Sequence, residues 1–170
     1  PCWSGQWPGW AQWMYSQEYG TFCAKFLSLF EYTDKVNGYG YIHGSTRAFT
    51  TNETLLCRAE AKLYLGDMEG AINDLKLWAQ SYNVDGKMKL EDMNYNKIQS
   101  FYASASAHLT QKLNTELISP EFVVTAEQLP IVYCLLHFRR IETLHDGLRW
   151  QDIKRYGIEI THKQGIDGEY

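Results

Sequence analysis

The clearest pattern of apolar and polar positions runs from Thr50 to Tyr82, TTNETLLCRAEAKLYLGDMEGAINDLKLWAQSY. Leu55, Leu56, Ala59, Leu63 and Tyr64 recur at three- and four-residue intervals, the period of one face of an α-helix. Thr50 followed by Glu53 makes a capping box, which predicts a helix opening there and running to about Leu65. Gly66 supplies the left-handed residue that ends a helix, and Asp67 can cap the next one. That second helix is expected to bury Ala71, Ile72, Leu75, Ala79 and Tyr82, while the small Ala59 and Ala61 let a neighbouring helix come close. Two helices joined by Leu-Gly-Asp have the pattern of a tetratricopeptide-type unit, whose open apolar face needs neighbours.

Further along, Thr125 and Gln128 form a second capping box and Pro130 fits a first helical turn. Ile131, Leu135, Phe138 and Ile141 then share one face of a helix expected to stop near Gly147. A short helix from Arg149 to Arg155 should close at Gly157, and the tail beyond reads as loop. Between the two helical regions, Asp85–Gly86 marks a turn. The stretch from Tyr95 to Leu117 is mostly polar, with a stripe of Phe101, Ala105, Leu109 and Leu113, and Pro120 ends it. Before Tyr19, Gly5, Pro8 and Gly9 interrupt any period and leave only Trp10 to Tyr15 as a helical candidate. Phe22 to Tyr41 mixes β-branched and aromatic residues with turn residues, and Asn37–Gly38 suits a type I′ hairpin. The expected class is mainly α, with paired helices and long irregular loops. An aromatic-rich irregular segment, 1–48, precedes a helical region, 49–170.

Composition sharpens this picture at two points. An apolar fraction of 45% and a charged fraction of 21% over 170 residues fit one globular domain and argue against disorder. Aromatics reach 15%, led by 12 tyrosines, a surplus that points to a contact surface because Tyr joins an apolar face to a polar tip. A net charge of −4 without a long Lys/Arg run gives no footprint for nucleic acid. The longest apolar stretch, Ile131 to Leu136, is too short to span a membrane and runs into His137 and Arg139–Arg140. The start shows neither an initiator Met nor a leader pattern, as expected if a leader has been removed or the chain is part of something longer. Of the four cysteines, Cys57 and Cys134 are expected as small buried hydrophobes. Cys2 and Cys23 could pair in an oxidising compartment.

The stretch FRRIETLHDGLRWQDIKRYG, Phe138 to Gly157, resembles the C-terminal signature of the SusD/RagB family of nutrient-binding outer-membrane lipoproteins. It shares Arg139, Arg140, Glu142, Gly147, Arg149, Trp150, Asp152, Arg155 and Gly157 with that pattern, substitutes Asp146 and Ile153 closely, and departs at Phe138, Thr143 and His145. A second motif stands in the right order before it. Ala48-Phe49-Thr50 leads into Leu55-Leu56-Cys57-Arg58-Ala59-Glu60-Ala61, followed by Leu65-Gly66-Asp67 and by Ala71-Ile72-x-Asp74-Leu75. The resemblance covers Phe49 to Gly157. It implies a tetratricopeptide-like scaffold carrying irregular loops, seated on a SusC-like TonB-dependent outer-membrane barrel, that captures an oligosaccharide without catalysis. Because family members are several times longer, it also implies a C-terminal portion lacking the lipid-anchored N-terminal half. Relatives that bind peptides, and tetratricopeptide adaptors without a small ligand, are the alternatives.

The site residues follow from these two readings. Mixed-sign charges at helical spacing satisfy one another, so Arg139, Arg140, Glu142, Arg149, Trp150, Asp152 and Arg155 are expected to hold two helices together around Gly147, with Arg149 and Trp150 packed on the helix pair. Trp3, Trp7, Trp10 and Trp13 crowd the first stretch, PCWSGQWPGWAQWMYSQEYG. Packing onto the scaffold accounts for most of them. One or two are expected to reach solvent, Trp10 and Trp13 first because Pro8–Gly9 lifts that part of the loop, and with Trp7 and Tyr15 they are candidates to stack on sugar rings. Gln6, Gln12 and Tyr15 are placed to bond hydroxyls. Cys134, His137 and His145 could be read as zinc ligands, but a core Cys134 and an ordinary helical His137 are the better reading. No nucleophile elbow, phosphate loop or metalloprotease motif occurs, no calcium loop surrounds Asp85 or Asp167, and no cofactor is expected. Asn52-Glu53-Thr54 is a glycosylation sequon at a helix start, of no consequence on a bacterial surface.

Overall fold

A computed structural model describes residues 13–16, 20–23, 28–44, 48–82, 89–104, 123–144, 146–160, 163–164 and 168–169 of the chain. The described architecture is mainly α. Five helices, α1 (Thr51–Tyr64), α2 (Met68–Tyr82), α3 (Tyr95–Ser104), α4 (Leu129–Glu142) and α5 (Arg149–Tyr156), accompany three two-stranded antiparallel ladders. The ladders pair β1 (Trp13–Ser16) with β2 (Gly20–Cys23), β3 (Ser28–Asp34) with β4 (Tyr39–Gly44), and β5 (Lys163–Gln164) with β6 (Gly168–Glu169).

The helix boundaries follow the local chemistry of the sequence. Thr50 is extended and its Oγ1 accepts from Glu53 N–H at 3.1 Å, satisfying one of the orphan donors of α1. The other end closes as a Schellman turn: Gly66, at φ 86°, donates to Leu63 O, and Asp67 N–H reaches back to Lys62 O. Asp67 Oδ1 then accepts from Gly70 N–H at 2.8 Å and opens α2. Thr125 and Gln128 bond reciprocally, each side chain accepting from the other's backbone N–H. Gln128 also donates to Leu63 O at 2.8 Å, tying the entrance of α4 to the end of α1. Gly157, at φ 55°, ends α5.

Helix α4 sits at the centre and packs against α1, α2, α3 and α5. Ten of its fourteen residues are buried, far more than the single stripe of a surface helix. The face predicted from Ile131, Leu135, Phe138 and Ile141 is inside, and so are Val132, Cys134, Leu136 and His137. Around it pack Leu56, Ala59 and Leu63 from α1, Ala71, Ile72, Leu75, Trp78 and Ala79 from α2, and Ile98 and Tyr102 from α3. The Trp78 and Phe138 rings stack at 4.4 Å between centroids. Tyr82 is half-buried.

Several expectations change. Residues 13–16 are strand, not helix, because they find a partner in Gly20–Cys23, with Trp13 opposite Cys23. The tail is not wholly loop, since Lys163–Gln164 pairs with Gly168–Glu169. Cys57 is exposed, on the side of α1 away from Leu56 and Ala59, and Ala61 is exposed as well. In α3 the inward residues are Ile98 and Tyr102, with Phe101 at the edge; Ala105, Leu109, Leu113 and the Asp85–Gly86 turn lie outside the described residues. The β3–β4 hairpin turns through four residues, Lys35–Gly38, instead of a two-residue Asn37–Gly38 turn. Asp34 explains the difference: its carboxylate gathers the backbone N–H groups of Val36 and Asn37 and the Asn37 side-chain amide, and Gly38 at φ 72° completes the loop.

Candidate functional site

The charged residues of the two motifs meet around α4. Arg139 Nε lies 3.1 Å from both carboxylate oxygens of Asp152, a side chain with no exposed surface. Burial disfavours the Arg139 charge, but Asp152 and then Glu60 more than offset it, so the guanidinium is held more firmly protonated than usual. Glu60, from α1, accepts from Arg155 Nη2 at 2.6 Å and from the Tyr156 hydroxyl, both on α5, and sits 3.9 Å from Arg139 Nη1. Tyr64 donates to the Tyr156 oxygen at 3.0 Å. Burial, reinforced by Glu60, pushes the Tyr156 hydroxyl far above its ordinary range, so it remains a donor. Three helices are thus pinned by one charged network.

Two further clamps hold the helix pair. Asp74 of α2 receives Arg58 Nε at 2.9 Å and Nη2 at 2.8 Å, and Lys62 Nζ at 2.9 Å. Burial alone would raise the Asp74 pKa; the hydrogen bonds and charges of Arg58 and Lys62 win, and it lies below the usual carboxylate value. Glu142 Oε2 accepts from Trp78 Nε1 at 2.9 Å and from the Tyr82 hydroxyl at 2.6 Å, while Asn52 Nδ2 donates to the Tyr82 oxygen at 2.7 Å. Neither aromatic partner of Glu142 is apparent from the sequence, because the contacts span 60 and 64 residues. Gly147, at φ 76°, lies in the connection to α5. Arg140 is exposed, and burial followed by Arg140 lowers the pKa of the half-buried Arg149. Trp150 does not pack on the helix pair as expected; it opens α5 on the outside and is 60% exposed.

Among the described residues no three His, Cys, Asp or Glu side chains converge as a metal site. Cys134 is buried in the core, and His137 Nδ1 lies 3.0 Å from the Tyr102 hydroxyl, so the imidazole is a buried, bonded residue of the helix. His145 lies outside the described residues, as do Cys2, Trp3, Trp7 and Trp10. Trp13 and Tyr15 are placed in β1, opposite Cys23 and Thr21.

Among the described residues, the surface richest in aromatic side chains is one the sequence did not single out, the β3–β4 hairpin. Phe30, Tyr32, Tyr39, Tyr41 and Ile42 are all exposed. Tyr39, Tyr41 and His43 alternate along β4, which sets them on one face, with Glu31 paired opposite Tyr41. The Tyr41 hydroxyl donates to Glu31 Oε2 at 2.8 Å, which raises the phenol pKa. The hairpin's sequence signal is the alternation in YGYIHG, which directly follows the turn residues Asn37–Gly38. A separate cavity of about 360 Å³ lies between α2 and the start of α3, lined by Met68, Ile72 and Tyr95 with Glu69, Asn73, Lys76 and Asn94.

No family model, curated protein or solved structure matches the chain. The site therefore has to be read from its own geometry. That geometry divides into a buried charged network, whose groups are spent on one another, and an exposed aromatic hairpin. No helix among the described residues is long and apolar enough to cross a membrane.

Proposed function

We propose that this chain is the helical C-terminal portion of a SusD/RagB-like surface protein that binds a glycan without catalysis and delivers it to a SusC-like TonB-dependent barrel in the bacterial outer membrane. On this reading α1 and α2 form a tetratricopeptide-type hairpin, the membrane is reached through a lipid on a preceding segment, and the ligand is an oligosaccharide. The observation that carries the proposal is that the two stretches resembling the family bond to each other. Arg58, Glu60 and Asp74 of the first and Arg139, Asp152 and Arg155 of the second take part in two clamps, Arg58 to Asp74 within the helix pair and Glu60 to Arg155 across the motifs, with Arg139 and Asp152 completing the second. Residues used as mutual partners in a packed interior are scaffold. Ligand contact then falls to aromatic residues that do not take part in those clamps, since Tyr and Trp offer flat apolar faces with polar tips. Trp7, Trp10, Trp13 and Tyr15 remain the first-segment candidates for stacking.

The test is calorimetric titration of the full chain with a panel of neutral oligosaccharides of differing linkage, alongside mixed short peptides. Saturable binding of at least one glycan is expected. Binding of peptides with silence toward every glycan would replace this reading with the peptide-uptake one.

A further inference from the structure

We infer that the Tyr39–Tyr41–His43 face of the β3–β4 hairpin is a saccharide subsite, with Tyr39 and Tyr41 as stacking rings and Glu31 as the hydroxyl acceptor. The assignment rests on the glycan-binding reading above and gives it a place in the molecule.

The two faces of the hairpin differ in kind. One carries Phe30, Tyr32 and Ile42, with the Phe30 and Tyr32 rings edge to face at 4.8 Å. Phe30 lies so close over Gly40 that a Cβ there would meet its ring at 2.6 Å. The paired residues of this face, Ser28, Phe30, Tyr32, Gly40, Ile42 and Gly44, set no carboxylate or imidazole beside the rings. The other face sets Tyr39, 70% exposed, and Tyr41, 50% exposed, in a row with His43 along one strand. Successive same-face residues stand about 6.8 Å apart. The Tyr41 and His43 rings are 5.9 Å apart and tilted, leaving ring surface open.

Polar groups are interleaved with these rings. Glu31 Oε2 takes one hydrogen bond, from Tyr41, and a carboxylate has room for several more. His43 Nδ1 is 3.8 Å from that oxygen, too far for a hydrogen bond, and among the described residues has no other partner although it is screened from solvent. A group left in that condition is matched by a hydroxyl, which donates and accepts at once. Aromatic faces beside a carboxylate and an unbonded imidazole nitrogen match a pyranose, apolar on its C–H face and hydroxylated at its rim.

Size favours a small ligand over a protein. Two strands of seven and six residues make a face of about 10 Å by 20 Å, or ~200 Å². A stable protein interface uses about 800 Å² on each partner.

The test is titration of the full chain and of its variants with whichever panel glycan the unaltered chain binds. Tyr39→Ala and Tyr41→Ala are expected to weaken binding about tenfold each and Glu31→Gln about threefold. Trp150→Ala, which removes an exposed aromatic on α5, should bind as the unaltered chain does. All these side chains are exposed, and unchanged circular dichroism and melting would show the variants folded. If glycan binds and the two tyrosine variants bind it equally well, the hairpin assignment is overturned while the glycan-binding function stands. If the unaltered chain binds no glycan, the functional reading fails and takes the subsite with it.

Discussion

Two of the tyrosine–glutamate pairs among the described residues, Tyr156 with Glu60 and Tyr41 with Glu31, differ in almost every physical respect. In the helical interior the Tyr156 hydroxyl donates to Glu60, joining α5 to α1, with Arg155 and Tyr64 sharing the network. On the hairpin the Tyr41 hydroxyl donates to Glu31 across a ladder of two strands, in water. Burial is the main reason the Tyr156 pKa is raised, whereas the hydrogen bond to Glu31 is the main reason for Tyr41. The same chemical pair serves as glue when dry, because nothing else can satisfy it, and as an accessible recognition surface when wet. Sorting the chain's polar groups by what surrounds them separates scaffold from candidate ligand contacts more reliably than residue type does.

Breaking the dry region should have the largest effect. Arg139→Met leaves Asp152 buried without its guanidinium partner, and removing one member of a buried pair costs about 3–5 kcal/mol. Chemical denaturation of the single variant should show that loss as a lower midpoint. Replacing both partners, Arg139→Met with Asp152→Leu, should recover much of it, since no charge is then stranded. A double variant as unstable as the single one would mean that the pair contributes something other than mutual compensation. Tyr156→Phe removes a donor from Glu60 and an acceptor from Tyr64 while keeping the ring, and the expected cost is about 1–3 kcal/mol in the same measurement.

How much of this could be read from the sequence depends on how local each cause is. The Thr50 cap, the reciprocal Thr125–Gln128 box, the Gly66 and Gly157 stops and the Asp67 cap all lie within a few residues of the elements they bound, and each is found where the residues put it. The all-round burial of α4 was not legible. Its polar side, His137, Arg139 and Glu142, goes inside only because Tyr102, Asp152, Trp78 and Tyr82 arrive from other elements to satisfy it. The β1 strand was missed for a related reason, since four residues become strand only when a second segment pairs with them. Cys57 shows the reverse error. It stands in an apolar run, yet the helical period turns it outward beside Arg139, whose Nη1 lies 3.5 Å from its sulfur. The proposed sugar contacts were half legible. The tryptophan cluster stood out by composition, while the tyrosine row on β4 emerged only once the hairpin register set alternate residues on one face.

A milder probe lies between the two regions. Asp74 is a buried carboxylate whose partner Arg58 is largely in solvent, so it belongs partly to each environment. Its folded pKa is lower than the unfolded value of about 3.9. Its contribution is therefore fully present above that value and disappears as pH falls through the folded pKa. The stability difference between the unaltered chain and Asp74→Asn should be constant above about pH 5 and shrink as the pH is lowered past 4. A difference that stays flat down to pH 2 would show that Arg58 and Lys62 do not favour the ionised form.

The smallest effect is expected in the wet region, and it completes the comparison. Tyr41→Phe deletes the hydrogen bond to Glu31 and leaves the ring. Both groups are open to water, which replaces the lost partner on each side, so the melting temperature should be unchanged. The matched change at Tyr156 should lower it, although each substitution removes one hydroxyl facing one glutamate. Equal costs at the two sites would mean that the hairpin face is dry in solution, covered by another part of the protein or by a second molecule, and the tyrosine row would then belong to packing. A silent Tyr41→Phe keeps that row available to solvent, as a surface that meets a ligand must be.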